Sequence, residues 1–218
     1  MITVSNIIEQ IISDTPFLEE YIAKGFINIS SLARDLQPEI QKKLGKPIKE
    51  AAITMSINRL KISTSQLHSK KVKSILKEIT DVSVRSSLAD YTFKNSANLR
   101  VCILKLMIEI EHNHEIFFTL SQGIYESTII INKNLSKKVN QIFKNENCLH
   151  LEDNITAINI KLPEINTEIK GIYYMIFRHF ANNNINIKDV VSTSNELTIL
   201  IDSKDSEKAF STINKIKN

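Results

Sequence analysis

A six-residue string occurs twice in the second half of this chain. Glu126-Ser-Thr-Ile-Ile-Ile131 and Glu196-Leu-Thr-Ile-Leu-Ile201 lie 70 positions apart and share Glu-x-Thr-Ile-x-Ile. The same offset lays Leu106, Met107 and Ile110 over Ile176, Phe177 and Phe180, Asn113 over Asn183, Val139 over Ala209 and Phe143 over Ile213. Matching elements on both sides of a shared string indicate an internal repeat, so the fold must contain one compact unit twice. The second copy is the easier to read. Ile155–Leu162 alternates apolar and polar residues as a strand does, with Ile158, Ile160 and Leu162 on one side. After the loop Pro163–Gly171, Tyr173, Ile176, Phe177 and Phe180 recur at helical spacing, and Asn182-Asn-Asn184 stops the helix because Asn tolerates a left-handed cap. Strands follow at Ile185–Val191 and Leu197–Ile201 around the turn-prone Ser192–Asn195. Ser206–Ile216 is a second helix with Phe210, Ile213 and Ile216 expected inward. The first copy gives the same series: strand Asp81–Phe93, helix Leu99–Ile110, strands Ile116–Leu120 and Glu126–Ile131, helix Leu135–Phe143. The order β-α-β-β-α is most of a ferredoxin-like unit.

Leu162-Pro163 with Gly171, then Asn184-Ile-Asn-Ile187, then Val190-Val-Ser-Thr-Ser-Asn-Glu-Leu-Thr198 resemble an ACT domain of the kind at the regulatory end of aspartokinases. The resemblance covers about 60 residues closely, and the paired copies resemble the tandem ACT arrangement of that family. It implies an amino-acid effector clamped by backbone groups where the first loop meets the helix-to-strand turn of a neighbouring domain. On this sequence the clamping pair is Asn186 and Ile187, and the facing loop is Ile165, Asn166, Thr167 and Glu168, with Gly171 allowing close approach at the helix start. One topological question follows. The second copy ends after its second helix and leaves no residues for a fourth strand. Either Cys148–Leu151 completes the first copy and the second goes without, or strands are exchanged between copies. An uncovered sheet edge invites pairing with another chain, so a homodimer through the ACT units is expected.

The charge is concentrated elsewhere. Residues 1–22 hold four acids and no Lys or Arg, residues 23–77 hold twelve Lys/Arg against three acids, and residues 78–218 are near balance. Any polyanion should meet the chain at residues 23–77. This part is helical by pattern: Val4, Ile7, Ile8 and Ile11 mark one helix, and Thr15-Pro16 starts another that Gly25 ends. Ser30 is a candidate cap for a third, interrupted at Gln37-Pro38. Pro47 begins Ile48–Leu60 with Ile53, Ile57 and Leu60 on one face. Short helices with Gly and Pro junctions resemble a helix-turn-helix module. In such a module Thr54, Asn58 and Arg59 would face the groove of duplex DNA, and Lys42, Lys43, Lys46 and Lys61 would hold its phosphates. A small helical domain that packs on its own dimer partner, its lysines solvated, is the other reading. Ser63–Ser74 reads as a basic linker or a helix leading into the next unit.

Catalytic chemistry finds little support. The four glycines are isolated, so no phosphate loop can be built, and no amino-acid kinase pattern is present. His112-Asn-His114-Glu115 lacks a third metal ligand at any standard spacing. Cys102 and Cys148 are expected to be reduced, partly buried thiols. No apolar run approaches the length of a spanning helix, so no membrane partner and a cytoplasmic location are expected.

The sequence is therefore expected to be an α+β protein. It comprises a helical, helix-turn-helix-like domain over 1–62, a basic linker over 63–77, a divergent ACT-like unit over 78–151 and a second over 152–218. It is expected to be a non-enzyme without metal or cofactor that senses an amino acid. Either it controls DNA binding by the helical domain, or it serves as a stand-alone regulatory subunit of a biosynthetic enzyme such as an aspartokinase.

Overall fold

A computed structural model of the chain describes residues 3–15, 18–60 and 71–217. The chain divides into two units, Met1–Lys71 and Val72–Asn218.

The first unit is helical: α1 (Val4–Asp14), α2 (Leu18–Ala23), α3 (Ile29–Leu44) and α4 (Glu50–Arg59). Their apolar stripes meet in one core, with Ile8, Ile40, Ile53 and Ile57 almost fully buried. The caps explain the boundaries. Thr3 Oγ1 accepts from the Asn6 amide at the start of α1, and Thr15 is that helix's C-cap. Pro16 and Lys61 lie outside the described residues. Gly25 closes α2 in the left-handed region (φ 71°), with the Phe26 amide reaching back to the Tyr21 carbonyl. Two expectations are corrected. The cap of α3 is Asn28, whose Oδ1 accepts from the Ser31 amide at 3.1 Å, rather than Ser30. Helix α3 also runs through Pro38, which was expected to interrupt it. Leu36 and Ile40 are buried on either side of the proline, so packing holds the helix across a lost backbone bond. Helix α4 begins two residues later than expected, because Gln37 and Gln41 side chains both donate to the Ile48 carbonyl and hold that turn out of the helix.

In the second unit, residues 71–77 form helix α5. The series continues as β1 (Val82–Lys94), α6 (Leu99–Ile110), β2 (Phe118–Gln122), β3 (Glu126–Asn132), α7 (Ser136–Ile142), β4 (Cys148–Lys161), α8 (Ile172–Asn182), β5 (Ile187–Ser192), β6 (Glu196–Asp202) and α9 (Ser206–Lys217). The six strands make one antiparallel sheet in the order β2-β3-β1-β4-β6-β5. Helices α6 and α7 cover one half, over Ala89, Tyr91, Phe93, Ile129 and Ile131. Helices α5, α8 and α9 cover the other, over Ile158, Ile160, Leu197, Ile199 and Ile201. Each of these large aliphatic side chains contributes about 1.5–3 kcal/mol on burial. By strand alternation, Leu88, Ile130, Ile155, Ala157 and Leu200 point to the opposite face, on which no helix of this unit packs among the described residues. They are nevertheless buried, with Phe117 and Val191 packed against them. The sheet curls, and its outer strands fold back over its centre.

The strand question has a definite answer in this topology. The long β4 pairs with β1 from Phe93↔Cys148 through Val82↔Ile160, while Ile155–Lys161 also pairs with β6. The start of β4 thus lies beside β1 as an outer strand for the first copy, and Val82–Arg85 of β1 does the same for the second. Helix α5 follows the exchange: Val72, Ile75 and Leu76 pack in the second copy's core. Each long strand bulges where it changes role. Ser86 and Ser87 stand opposite Thr156, and Asp153 and Asn154 opposite Ala89, with Ser87 at φ 59°.

The repeat has two offsets. Strands β2, β3 and their partners β5, β6 keep 70 positions, but the buried runs of β1 and β4 (Leu88 and Ile155, Phe93 and Ile160) are 67 apart. The second copy therefore carries three more residues between its first two strands. Some apolar residues at helical spacing, among them Phe210, which was expected inward, lie off the buried face. Met107 and Phe210 are 44% and 39% exposed, and Tyr173 lies at the edge of the face buried by Ile172, Met175, Ile176 and Phe180. Cys102 is buried, but Cys148 is exposed at the start of β4.

Candidate effector-binding site

The residues nominated for an effector fall at the two ends of α8. At its start, Asn166 is buried, and its Nδ2 donates to the Pro163 carbonyl at 2.9 Å and to the Ser194 carbonyl at 2.7 Å. That side chain pins the loop to the β5–β6 turn. Ile165, Thr167 and Glu168 are exposed around it, and Gly171 takes φ 87° as the cap of α8, which a side chain would strain. At the far end, Asn184 is left-handed (φ 52°). Its amide donates to the Ala181 carbonyl and that of Ile185 to the Phe180 carbonyl, the paired bonds of a Schellman cap. Asn186 follows, exposed, and Ile187 is half-buried. An 11-residue helix is about 16 Å long, so Asn186 and the Ile165–Gly171 loop do not meet within one copy.

The open, curled face holds two further features that the sequence reading did not single out. One is a cleft of about 460 Å³. Its floor is a row across three strands, in which Thr198 Oγ1 donates to Asn159 Oδ1 at 2.7 Å and Asn159 Nδ2 to Ser83 Oγ at 3.5 Å. Arg85 and Lys161 stand beside that row, with Glu196 opposite Lys161 and Phe117 of the first copy as a wall, while the Phe118 side chain lies in the helix-covered core. The other is Asp90, 8% exposed, with no hydrogen-bond partner for its Oδ1. Burial foremost, then Asp189 and Glu152 against the opposing His150, push its carboxyl up to about 6. The visible signal was a lone acid between Ala89 and Tyr91 in an apolar strand; the cleft left no such trace, because five strands from both copies build it.

In the helical unit, Lys42, Lys46, Asn58 and Arg59 are exposed and Thr54 half-buried, while Lys43 pairs with Glu39 at 2.8 Å. His112 and His114 form the turn after α6, where the His112 imidazole is 94% exposed. His179 Nδ1 lies 2.7 Å from the Met175 carbonyl. Among the described residues no helix is long and apolar enough to cross a membrane.

No protein-family model and no curated protein matches the sequence. Solved structures do. The ligand-free regulatory subunit of aspartate kinase from Thermus thermophilus matches over 64% of this chain and 99% of its own, at TM-score 0.53 and 12% identity. The corresponding subunit from Thermus flavus matches over the same shares at 0.53 and 11%. The aspartate kinase of Clostridium acetobutylicum matches over 64% of this chain at 0.52 and 18%, and this chain spans 35% of that enzyme. At such identities the likeness shows the fold: a curled antiparallel sheet with helices, of the kind found in aspartate kinase regulatory subunits.

Proposed function

We propose that this chain is a non-catalytic, amino-acid-responsive regulatory protein, built from two ferredoxin-like ACT units that exchange their outer strands. In this reading it confers amino-acid feedback on a biosynthetic enzyme such as an aspartokinase. The observation that carries the reading is the match to a regulatory subunit over almost that subunit's whole length. The nominated residues add a second argument. The loop Ile165, Asn166, Thr167, Glu168, Gly171 and the turn Asn186, Ile187 lie at opposite ends of α8, so a site using both takes one from each of two ACT units. A homodimer supplies that arrangement. The test is to add the purified protein to an aspartokinase catalytic subunit from the same cells and to assay inhibition by each of the twenty amino acids. A complex on size exclusion with inhibition that depends on this protein supports the reading; no complex and an unchanged inhibition profile reject it.

A second reading rests on the first unit, which presents Lys42, Lys46, Asn58 and Arg59 to solvent within the basic segment. There the same sensor would control duplex DNA binding, with Lys61 among the phosphate contacts. Fluorescence anisotropy with duplex DNA separates the two. Affinity that falls steeply with salt supports DNA contact, and none at low salt removes it.

A further inference from the structure

The internal repeat provides a comparison for part of the cleft. Arg85 on β1 corresponds to Glu152 on β4, 67 positions on, while Lys188 is a bulge residue of β5 between Ile187 and Asp189 with no equivalent on β2, where Phe118 pairs as Ile187 does. At the counterpart the chain satisfies its own charges: Lys188 Nζ donates to Glu152 at 2.9 Å and stands 3.4 Å from Asp202. The cleft has no such closure. Arg85 donates one bond, from Nη1 to the Glu115 carbonyl at 3.3 Å, and no carboxylate lies within 4 Å of it among the described residues. Lys161 and Glu196 face each other across β4 and β6 yet form no ion pair. Asp81 also lines the cleft, so its two cations and two carboxylates balance in number without being paired to one another.

The hydrogen-bond row sets a direction. Thr198 donates to Asn159, and Asn159 donates to Ser83, so the Ser83 hydroxyl proton is left to donate. Ser83 and Arg85 are two apart on one strand and so share a face. A hydroxyl donor and a guanidinium fork side by side suit a carboxylate, and the Glu196 carboxylate is an acceptor for an ammonium. The volume is within the range of small-molecule sites, with Phe117 on this face to meet an apolar side chain.

We propose that this cleft binds a small zwitterion of the α-amino-acid class. Its carboxylate is held by Arg85 and Ser83, and its ammonium by Glu196. The ligand class rests on the sensor reading above; the location does not, and none of the loop and turn residues at the ends of α8 lines the cleft. A ligand there touches β1 and β2 of the first copy and β4 and β6 of the second, and so acts on both.

The test is a thermal-shift screen of the full chain with the twenty amino acids at millimolar concentration, on the wild type and on Arg85→Gln and Arg85→Lys. The expected result is a melting shift with one or a few amino acids that weakens at least tenfold in Arg85→Gln and recovers in part in Arg85→Lys. Amide chemical-shift mapping of the active amino acid on the wild type locates it even if the Arg85 variants fold poorly, and Ser83, Phe118 and Thr198 are expected to move. A shift that survives Arg85→Gln with perturbations around Asn186 overturns the cleft and leaves the sensor reading standing. No shift with any amino acid overturns the sensor reading and, with it, this ligand class.

Discussion

A carboxyl buried in an apolar strand opposite Ile130 holds its proton to a higher pH than a solvated one, and Asp90 has that environment, with Glu152 across from it on the other side. Its counterpart in the second copy is Ala157, which shows that the fold does not need an acid at this position. In the unfolded chain Asp90 ionises near 3.8, and in the native protein near 6. The native state therefore holds the proton over that window, and stability falls as pH rises from about 4 to 6 before levelling off. Asp90→Asn should raise unfolding stability by about 2 kcal/mol at pH 8 and change it by less than about 0.5 kcal/mol at about pH 3.5, measured by urea denaturation. An equal effect at both pH values would show that packing, and not ionisation, separates the two proteins. Asn166 makes the opposite case. Its amide serves two carbonyls, so Asn166→Ala should cost about 1–3 kcal/mol in the same experiment. If effector binding weakens in that variant while Thr167→Ala leaves it unchanged, the Asn166 contribution runs through the loop's shape.

At the scale of elements, left-handed residues fix where strands and helices turn. Asn184 ends α8 in a conformation that Gly adopts without strain, so Asn184→Gly should be neutral or stabilising by up to about 1 kcal/mol and Asn184→Ala destabilising by about 1 kcal/mol. Ser87 holds the bulge of β1 at φ 59°, and Ser87→Val should cost about 1–2 kcal/mol because a β-branched residue resists that region. Thermal melts of the three variants test both positions, and an unaffected Ser87→Val would remove the bulge from the account. These two residues also mark how far the sequence could be read. Asn184 was legible, since a run of three asparagines after an amphipathic helix has few other uses. Ser87 was not: nothing in Arg85-Ser-Ser-Leu88 distinguishes a bulge from continuing strand, and the change of partner there depends on contacts with residues some 70 positions away. The repeat was legible from β2 onward, where spacing is kept, and blurred at the first strand, where the offset drops to 67. Pro38 misled in the other direction, because local propensity cannot register a core that holds a helix on both sides of it. The loop and turn nominated for the effector lie at opposite ends of α8, a separation that no linear pattern shows.

For the Val72–Asn218 unit as a whole, the exchanged strands decide how it unfolds. If each copy were complete, one could open while the other stayed folded. Here the second copy's outer strand is Val82–Arg85, covalently part of β1, whose remaining length is central to the first copy. The first copy's outer strand is the start of β4, whose remainder is central to the second. Opening either copy strips a strand from the other, exposes an edge on the opposite half and leaves the shared patch of Leu88, Ile155 and Leu200 uncovered. The two copies should therefore unfold as one unit. Native-state hydrogen exchange on the full chain reads this directly: the most protected amides of β3 and of β6 should share one opening free energy and one denaturant slope. Two separate values would mean that the copies open independently and that the exchanged strands do not couple them. A single value would give the proposed amino-acid site its route to the rest of the unit. A ligand bridging β1 and β2 to β4 and β6 would then bias the one equilibrium that both copies share.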